Sequence, residues 1–173
     1  MVILFLDETI LTETPPLRAT WAPRGQQVRV AITGNRDKRI LFGVLNPKTG
    51  AVLLMNAKRW TQETFQAFLR LVRRRWRGWR LVLFLDRGSP HKARNSQELA
   101  RALAVEERWL PTACPELNPL EGLWRHLKQE VMANTVAPID EAVMHAQEYL
   151  LTMSPQERLS RAGILSKHFW LGT

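Results

Sequence analysis

The stretch T-Q-E-T-F-Q-A-F-L-R-L-V-R-R-R-W-R-G-W-R-L-V-L-F-L-D, residues 61–86, decides how the rest of the chain is read. Phe65, Phe68, Leu69, Val72 and Trp76 recur at intervals of three and four, which is one apolar face of a helix. Thr61 is a candidate N-cap, Glu63 lies in the first turn, and Gly78 is the stop. Leu81–Leu85 is then apolar throughout, as a buried strand is, with Asp86 at its end. A helix feeding a buried strand is part of a crossover, so strands after Thr61 add to the sheet in parallel.

Upstream, Met1–Leu6 reads as a short buried strand ending at Asp7-Glu8, followed by a long Thr-, Pro- and Gly-punctuated connection over 9–25. Gln27–Thr33 alternates at period two, as an exposed strand does. Arg39–Leu45 and Ala51–Asn56 flank N-P-K-T-G (46–50) and predict a hairpin. Downstream, a helix is expected from about His91 to Ala104, a short strand around Arg108–Leu110, and a Pro-broken loop over Pro111–Pro119. Asn118 then caps a helix opened by Pro119 and running to about Ala133. Ile139–Leu151 is amphipathic, and Ser154-Pro155-Gln156-Glu157 fits a capping box. Hairpins first and crossovers later make an α/β chain with a mixed sheet and helices on its faces.

The 173 residues suit one domain, with 1–152 as its body and 153–173 as a helical tail of the same unit. The longest apolar run, Met1–Leu6, is six residues, far short of the ~20 that span a bilayer, so no membrane role is expected. No secretory pattern opens the chain. A lone Cys114 excludes an internal disulfide and a cysteine-based zinc site. The four His form no H-E-x-x-H pair, and neither G-x-x-x-x-G-K-[ST] nor G-x-G-x-x-G occurs. With 25 Lys+Arg against 16 Asp+Glu, the net charge of +9 favours a polyanionic partner, nucleic acid above all.

Three acids stand out. Asp7 and Asp86 each follow a predicted strand, and parallel neighbours would bring them out side by side at one sheet edge, where open α/β sheets bind ligands. Glu121 lies one turn into a later helix, opposite the stripe Leu120, Leu123, Trp124, Leu127 and Val131. Oxygen donors without a His or Cys cluster suit a hard cation, Mg²⁺ or Mn²⁺. Two such ions about 4 Å apart can activate a water or 3′-hydroxyl and stabilise the leaving oxygen of a phosphodiester. Each acid also has a plain structural reading: Asp is a common turn residue, and Glu121 sits at a capping-box position.

L-F-L-D-E (4–8), L-F-L-D-R-G-S-P-H (83–91) and P-E-L-N-P-L-E-G-L-W-R-H-L-K (115–128) resemble the three catalytic motifs of mariner-like insertion-sequence transposases. W-A-P-R-G (21–25) and N-P-K-T-G (46–50) resemble further features of that superfamily, and the likeness spans roughly residues 3–150. It implies an RNase H-like domain, a mixed five-stranded sheet flanked by helices, carrying a D, D, E triad. The 34 residues between Asp86 and Glu121 match that family's spacing. By the resemblance, Asp7, Asp86 and Glu121 are catalytic metal ligands for a two-metal Mg²⁺ or Mn²⁺ site. Glu8, His91, Asn118 and Trp124 are supporting positions. The implied activity is cleavage of double-stranded DNA at transposon ends and strand transfer into target DNA, by a dimer, in the cytoplasm at the bacterial nucleoid. Relatives carry helix-turn-helix modules ahead of this domain, which a separate N-terminal product could supply. Members usually have Asn after the second Asp; Arg87 stands here and is expected to compete with metal or to hold a phosphate. That departure favours one rival, an impaired relic that only binds DNA or dimerises; a second rival is an RNase H-like nuclease on other nucleic acid.

Residues 58–80 hold eight basic side chains and one acid. Arg70, Arg73, Arg74 and Arg77 are expected on one helical face, as a phosphate-binding or merely solvated surface. Arg87, Lys92 and Arg94 flank the proposed site, and Arg125 and Lys128 follow Glu121, so all five are candidate DNA contacts.

Overall fold

The computed structural model describes residues 1–30, 32 and 34–171. Five strands form one sheet in the order β3-β2-β1-β4-β5: β1 (Val2–Thr12), β2 (Lys38–Leu45), β3 (Val52–Ala57), β4 (Leu81–Leu85) and β5 (Val105–Trp109). β1, β2 and β3 are antiparallel, whereas β4 and β5 add in parallel. The expected hairpin and the later crossovers are therefore both present.

The helices are α1 (Gln62–Arg75), α2 (Ser89–Lys92), α3 (Arg94–Ala102), α4 (Pro119–His126), α5 (Ile139–Thr152) and α6 (Pro155–Arg161). Thr61 caps α1, its side chain accepting from the Thr64 amide, and Ser154 caps α6 in the same way through Glu157. One face of the sheet packs Leu4, Leu6, Phe42, Leu81 and Leu83 against Phe65, Phe68 and Val72 of α1. The other packs Phe5, Leu41 and Leu45 against Leu120, Leu123, Trp124 and Leu127, with Val143, Ala146 and Leu150 of α5 behind them. Leu159, Ala162 and Ile164 of the 153–173 tail join that second core. No helix among the described residues is long and apolar enough to cross a membrane.

Four sequence expectations are corrected. β1 does not stop at Asp7 but runs on to Thr12, because after β4 ends it still pairs with β2 as far as Thr12↔Lys38. Thr9 and Leu11 point inward there, so part of the expected connection is strand. The described residues of 27–33 form no strand, since both edges of β2 are already taken; Ala31 and Thr33 lie outside the described residues. The helix expected over 91–104 breaks at Ala93, whose ψ of 136° is extended. An unbroken helix would carry His91 well off the face of Ser96 and Ala100, and the break lets all three be buried. The helix expected to reach Ala133 leaves α geometry after His126 and finishes as a π-helical segment, Leu127–Met132.

Candidate active site

The parallel register runs from Val2↔Leu81 to Phe5↔Phe84, so two residues further on Asp7 comes level with Asp86. Asp7 thus lies within β1, just past the end of the parallel pairing, rather than at the strand's terminus. On its other side it pairs with Gly43 of β2. A Cβ on Gly43 would sit 2.6 Å from the Trp124 ring, so only glycine lets that indole lie flat against the sheet. Trp124 is buried and donates its Nε1–H to Asp7 Oδ2 at 3.0 Å. Its packing role and its contact with an acid coexist in one side chain.

Asn118 links the third acid to the other two. Its Oδ1 accepts from the Leu120 amide at 3.2 Å, capping α4, while its Nδ2 donates to the Leu6 carbonyl at 2.8 Å. The first turn of α4 is thereby tied to the residue before Asp7, and Glu121 lies within that turn. Asp7 is pushed up to about 8, first by burial, then by the charges of Glu8 and Glu121, with a smaller push from Asp86. Three other carboxylates act on Asp7 at this edge.

His91 is fully buried between two of them, Nδ1 2.8 Å from Asp86 Oδ1 and Nε2 2.8 Å from Glu8 Oε1. Burial opposes its charge, but the bonds to Asp86 and Glu8 outweigh it and push the imidazole up to about 10. Asp86 is held below the usual carboxylate range chiefly by His91; burial opposes this, and the Gly88 amide adds to it. A Cβ on Gly88 would lie 2.7 Å from Trp60 and 3.1 Å from Asp86 Oδ1, so this turn needs glycine to close. The Trp60 ring meets His91 edge-on at 5.8 Å and Phe65 covers it at 4.4 Å.

The basic residues divide. Arg87 and Lys92 are exposed beside the acids; Arg87 makes no ion pair with Asp86 among the described residues. Arg94 is exposed and pairs with Glu98, Arg125 is exposed, and Lys128 is half-buried. The expected arginine face is not one face: α1 ends at Arg75, so Arg77 lies beyond it. Arg73 is half-buried and donates to the carbonyls of Trp76 and Trp79, which closes the helix C-terminus. Arg70 and Arg74 remain exposed on α1. This cluster leads into the start of β4, whereas Asp86 follows its end, roughly 17 Å away for five residues at ~3.3 Å each.

Among the described residues no three His, Cys, Asp or Glu side chains are grouped tightly enough to enclose a metal ion. Like charges splay, and the oxygens of Asp7 and Asp86 are engaged by Trp124 and His91. The donor set nevertheless fits a hard cation. It is all oxygen, and Asp7, raised first by burial and then by the charges of Glu8, Glu121 and Asp86, shares this edge with three other carboxylates.

Sequence reasoning missed Trp60 and Trp170. Trp60 directly precedes the Thr61 N-cap and belongs to no apolar stripe; Trp170 stands in a tail read only as helical. It also missed Glu107 on β5, which burial raises to about 7 and whose Oε1 is buried without a partner.

A profile described as DDE superfamily endonuclease matches residues 2–143. The chain belongs to that family. It is 26% identical over 156 residues to an uncharacterized 39 kDa protein of insertion element IS630 from Shigella sonnei, covering 88% of this chain and 46% of that protein. The fold matches the Mos1 mariner paired-end complex with Mn at a TM-score of 0.73 and 17% identity, over 94% of this chain and 52% of that one. It matches the separate catalytic domain of Mos1 mariner transposase at 0.64 and 15%, over 94% and 76%. A retroviral intasome, that of simian T-cell lymphotropic virus, matches at 0.58 and 16%, over 84% and 46%. The sheet is therefore of the RNase H-like kind found in transposase catalytic domains. The chain spans about half the length of the IS630 protein and of the Mos1 chain in its DNA complexes.

Proposed function

We propose that this domain is the catalytic core of a transposase that cuts DNA at element ends and joins the freed 3′ end to target DNA, with Asp7, Asp86 and Glu121 holding two Mg²⁺ or Mn²⁺ ions. The observation that carries the reading is the strand register that brings Asp7 level with Asp86, together with Asn118 tying Glu121's helix to Leu6. Such ions, when bound, activate the attacking water or 3′-hydroxyl and stabilise the leaving oxygen. The protein's part is positioning. Trp124 fixes Oδ2 of Asp7, while His91 and the Gly88 amide fix Oδ1 of Asp86, so each carboxylate keeps its other oxygen for a ligand. Glu8 supplies the second anchor for His91 and does not itself need to touch the substrate.

Double-stranded DNA approaches this edge, with Arg87 and Lys92 placed to meet phosphates near the cut and Arg125 and Lys128 further along α4 and its extension. Helix-turn-helix modules supplied by a longer product or a separate one would select the ends, in a dimer that pairs them at the nucleoid. The test is nicking of a supercoiled plasmid and strand transfer of a 3′-hydroxyl oligonucleotide in Mn²⁺. Activity that requires metal and vanishes in Asp86→Asn supports the reading. Nicking without strand transfer points to a plain nuclease, and DNA binding without either reaction points to a relic.

A further inference from the structure

One aromatic residue outside the acidic cluster touches both strands that lead to Asp7 and Asp86 and the turn that leads into the helix carrying Glu121. The indole of Trp170 meets the Phe5 ring edge-on at 6.0 Å and the Phe84 ring at 5.6 Å. Phe5 and Phe84 are register partners, stacked on each other at 5.2 Å, and each lies two residues before an acid, Asp7 and Asp86 respectively. Since side chains alternate along a strand, Phe5 and Asp7 share a face. Trp170 therefore packs on the row next to the acids. Its Nε1–H donates to the carbonyl of Leu117 at 2.9 Å. Leu117 closes the 3₁₀ turn Pro115–Leu117 that delivers Asn118, the N-cap of α4.

We infer that Trp170 is a positioning residue: it sets the start of α4, and with it Glu121, against the β1–β4 pair. Asn118 makes the same link from inside, through Leu6, and Trp170 makes it from outside, through Leu117. Two attachments at adjacent residues, one buried and one near the surface, constrain the rotation of this turn as well as its distance, which one attachment cannot do. Phe169 braces the indole at 6.1 Å and also meets Phe5 at 6.2 Å. Trp170 is 42% exposed, so its removal opens no sealed core cavity, and positioning can be separated from stability.

The inference rests on the metal-site reading above, and its test keeps the two apart. Trp170→Phe retains the ring contacts and deletes only the donor; Trp170→Ala deletes both. Hydrogen exchange of the backbone amides of Asn118, Leu120 and Glu121, the exchangeable ones of residues 118–121, is followed beside that of α5, and Mn²⁺ binding by calorimetry. In Trp170→Phe, exchange at 118–121 is expected to rise about three- to tenfold, the worth of one net hydrogen bond, with α5 unchanged. Mn²⁺ affinity should fall by a similar factor at an unfolding midpoint close to that of the unmodified chain, and further in Trp170→Ala. Unchanged protection at 118–121 in both variants overturns the positioning role. Altered protection with unaltered Mn²⁺ binding also overturns it, because Glu121 would then not depend on this contact. If the unmodified chain binds no Mn²⁺, the metal-site reading fails, while the exchange result alone still decides whether Trp170 sets the start of α4.

Discussion

The two ends of the β1–β4 pair carry charge in opposite ways. Past the end of β4, Asp7, Glu8 and His91 are largely shielded from water, exposed Asp86 is bonded to His91, and each has its pose fixed by a named partner. At the start of β4, the arginines that dominate the composition stand mostly in solvent, and Arg73 is spent on the carbonyls that end α1. Exposed charges are screened and free to move, so their number says little about chemistry. Partly buried charges of like sign are costly to hold together, and a cation placed among them would relieve that cost, which is why the proposed site lies at the acidic edge. Charge density and constrained charge point to opposite ends of the sheet.

The largest expected effect bears on that contrast directly. Asp86→Asn should lower Mn²⁺-dependent plasmid nicking by roughly a thousandfold while leaving the fold intact, whereas Arg70→Ala with Arg74→Ala should change it by less than about threefold. A circular dichroism melt beside each nicking assay checks that neither variant has merely unfolded. Comparable losses in both would erase the distinction between the ends.

His91 comes next. His91→Ala removes the shared partner of two carboxylates in a buried setting and should cost about 3 kcal/mol in urea unfolding. The pH dependence has a definite sign. The folded pKa of His91, about 10, lies above the ordinary value near 6.5, so this stabilisation is complete below pH 6.5 and is lost as pH rises toward 10. The fall in unfolding free energy between pH 7 and 10 should shrink in His91→Gln. An unchanged fall would mean the imidazole is not the group that titrates.

DNA affinity sharpens the comparison from the other side. Each phosphate contact contributes about 0.9 to the slope of log affinity against log salt. Replacing Arg87 and Lys92 with Gln should reduce that slope by one to two, and the same change at Arg70 and Arg74 by less than one. The reverse ranking would place the DNA path along α1. The smallest effect is at Glu107, raised by burial to about 7 from an ordinary value near 4.5. Its ionisation costs stability as pH rises from about 4.5 to 7, so Glu107→Gln should be the more stable protein by about 1 kcal/mol at pH 8 and nearly neutral at pH 4.5. A variant equally affected at both pH values would show that the carboxyl ionises freely.

Periodicity carried the backbone of the fold. The 61–76 stripe and the apolar run at 81–85 correspond to α1 and β4 with shifts of a residue or so, because local spacing alone dictates which face of a helix or strand is apolar. Where a partner strand or a helix phase decided the outcome, local reading failed. β1 outlasted its apolar run because β2 was there to pair with it, and α3 separated from α2 because His91 and Ser96 must both be buried.

The site divides along the same line. By itself the sequence supplied the candidate acids, the 34-residue spacing and the N-cap at Asn118, since these are properties of residue types at fixed separations. The tertiary structure alone decided that His91 bridges Glu8 and Asp86, 83 and 5 residues away, that Gly43 makes room for the indole bonded to Asp7, and that a tail tryptophan reaches Leu117 across 53 residues. Contacts between residues so far apart are set by strand register and layer packing, which no local pattern encodes.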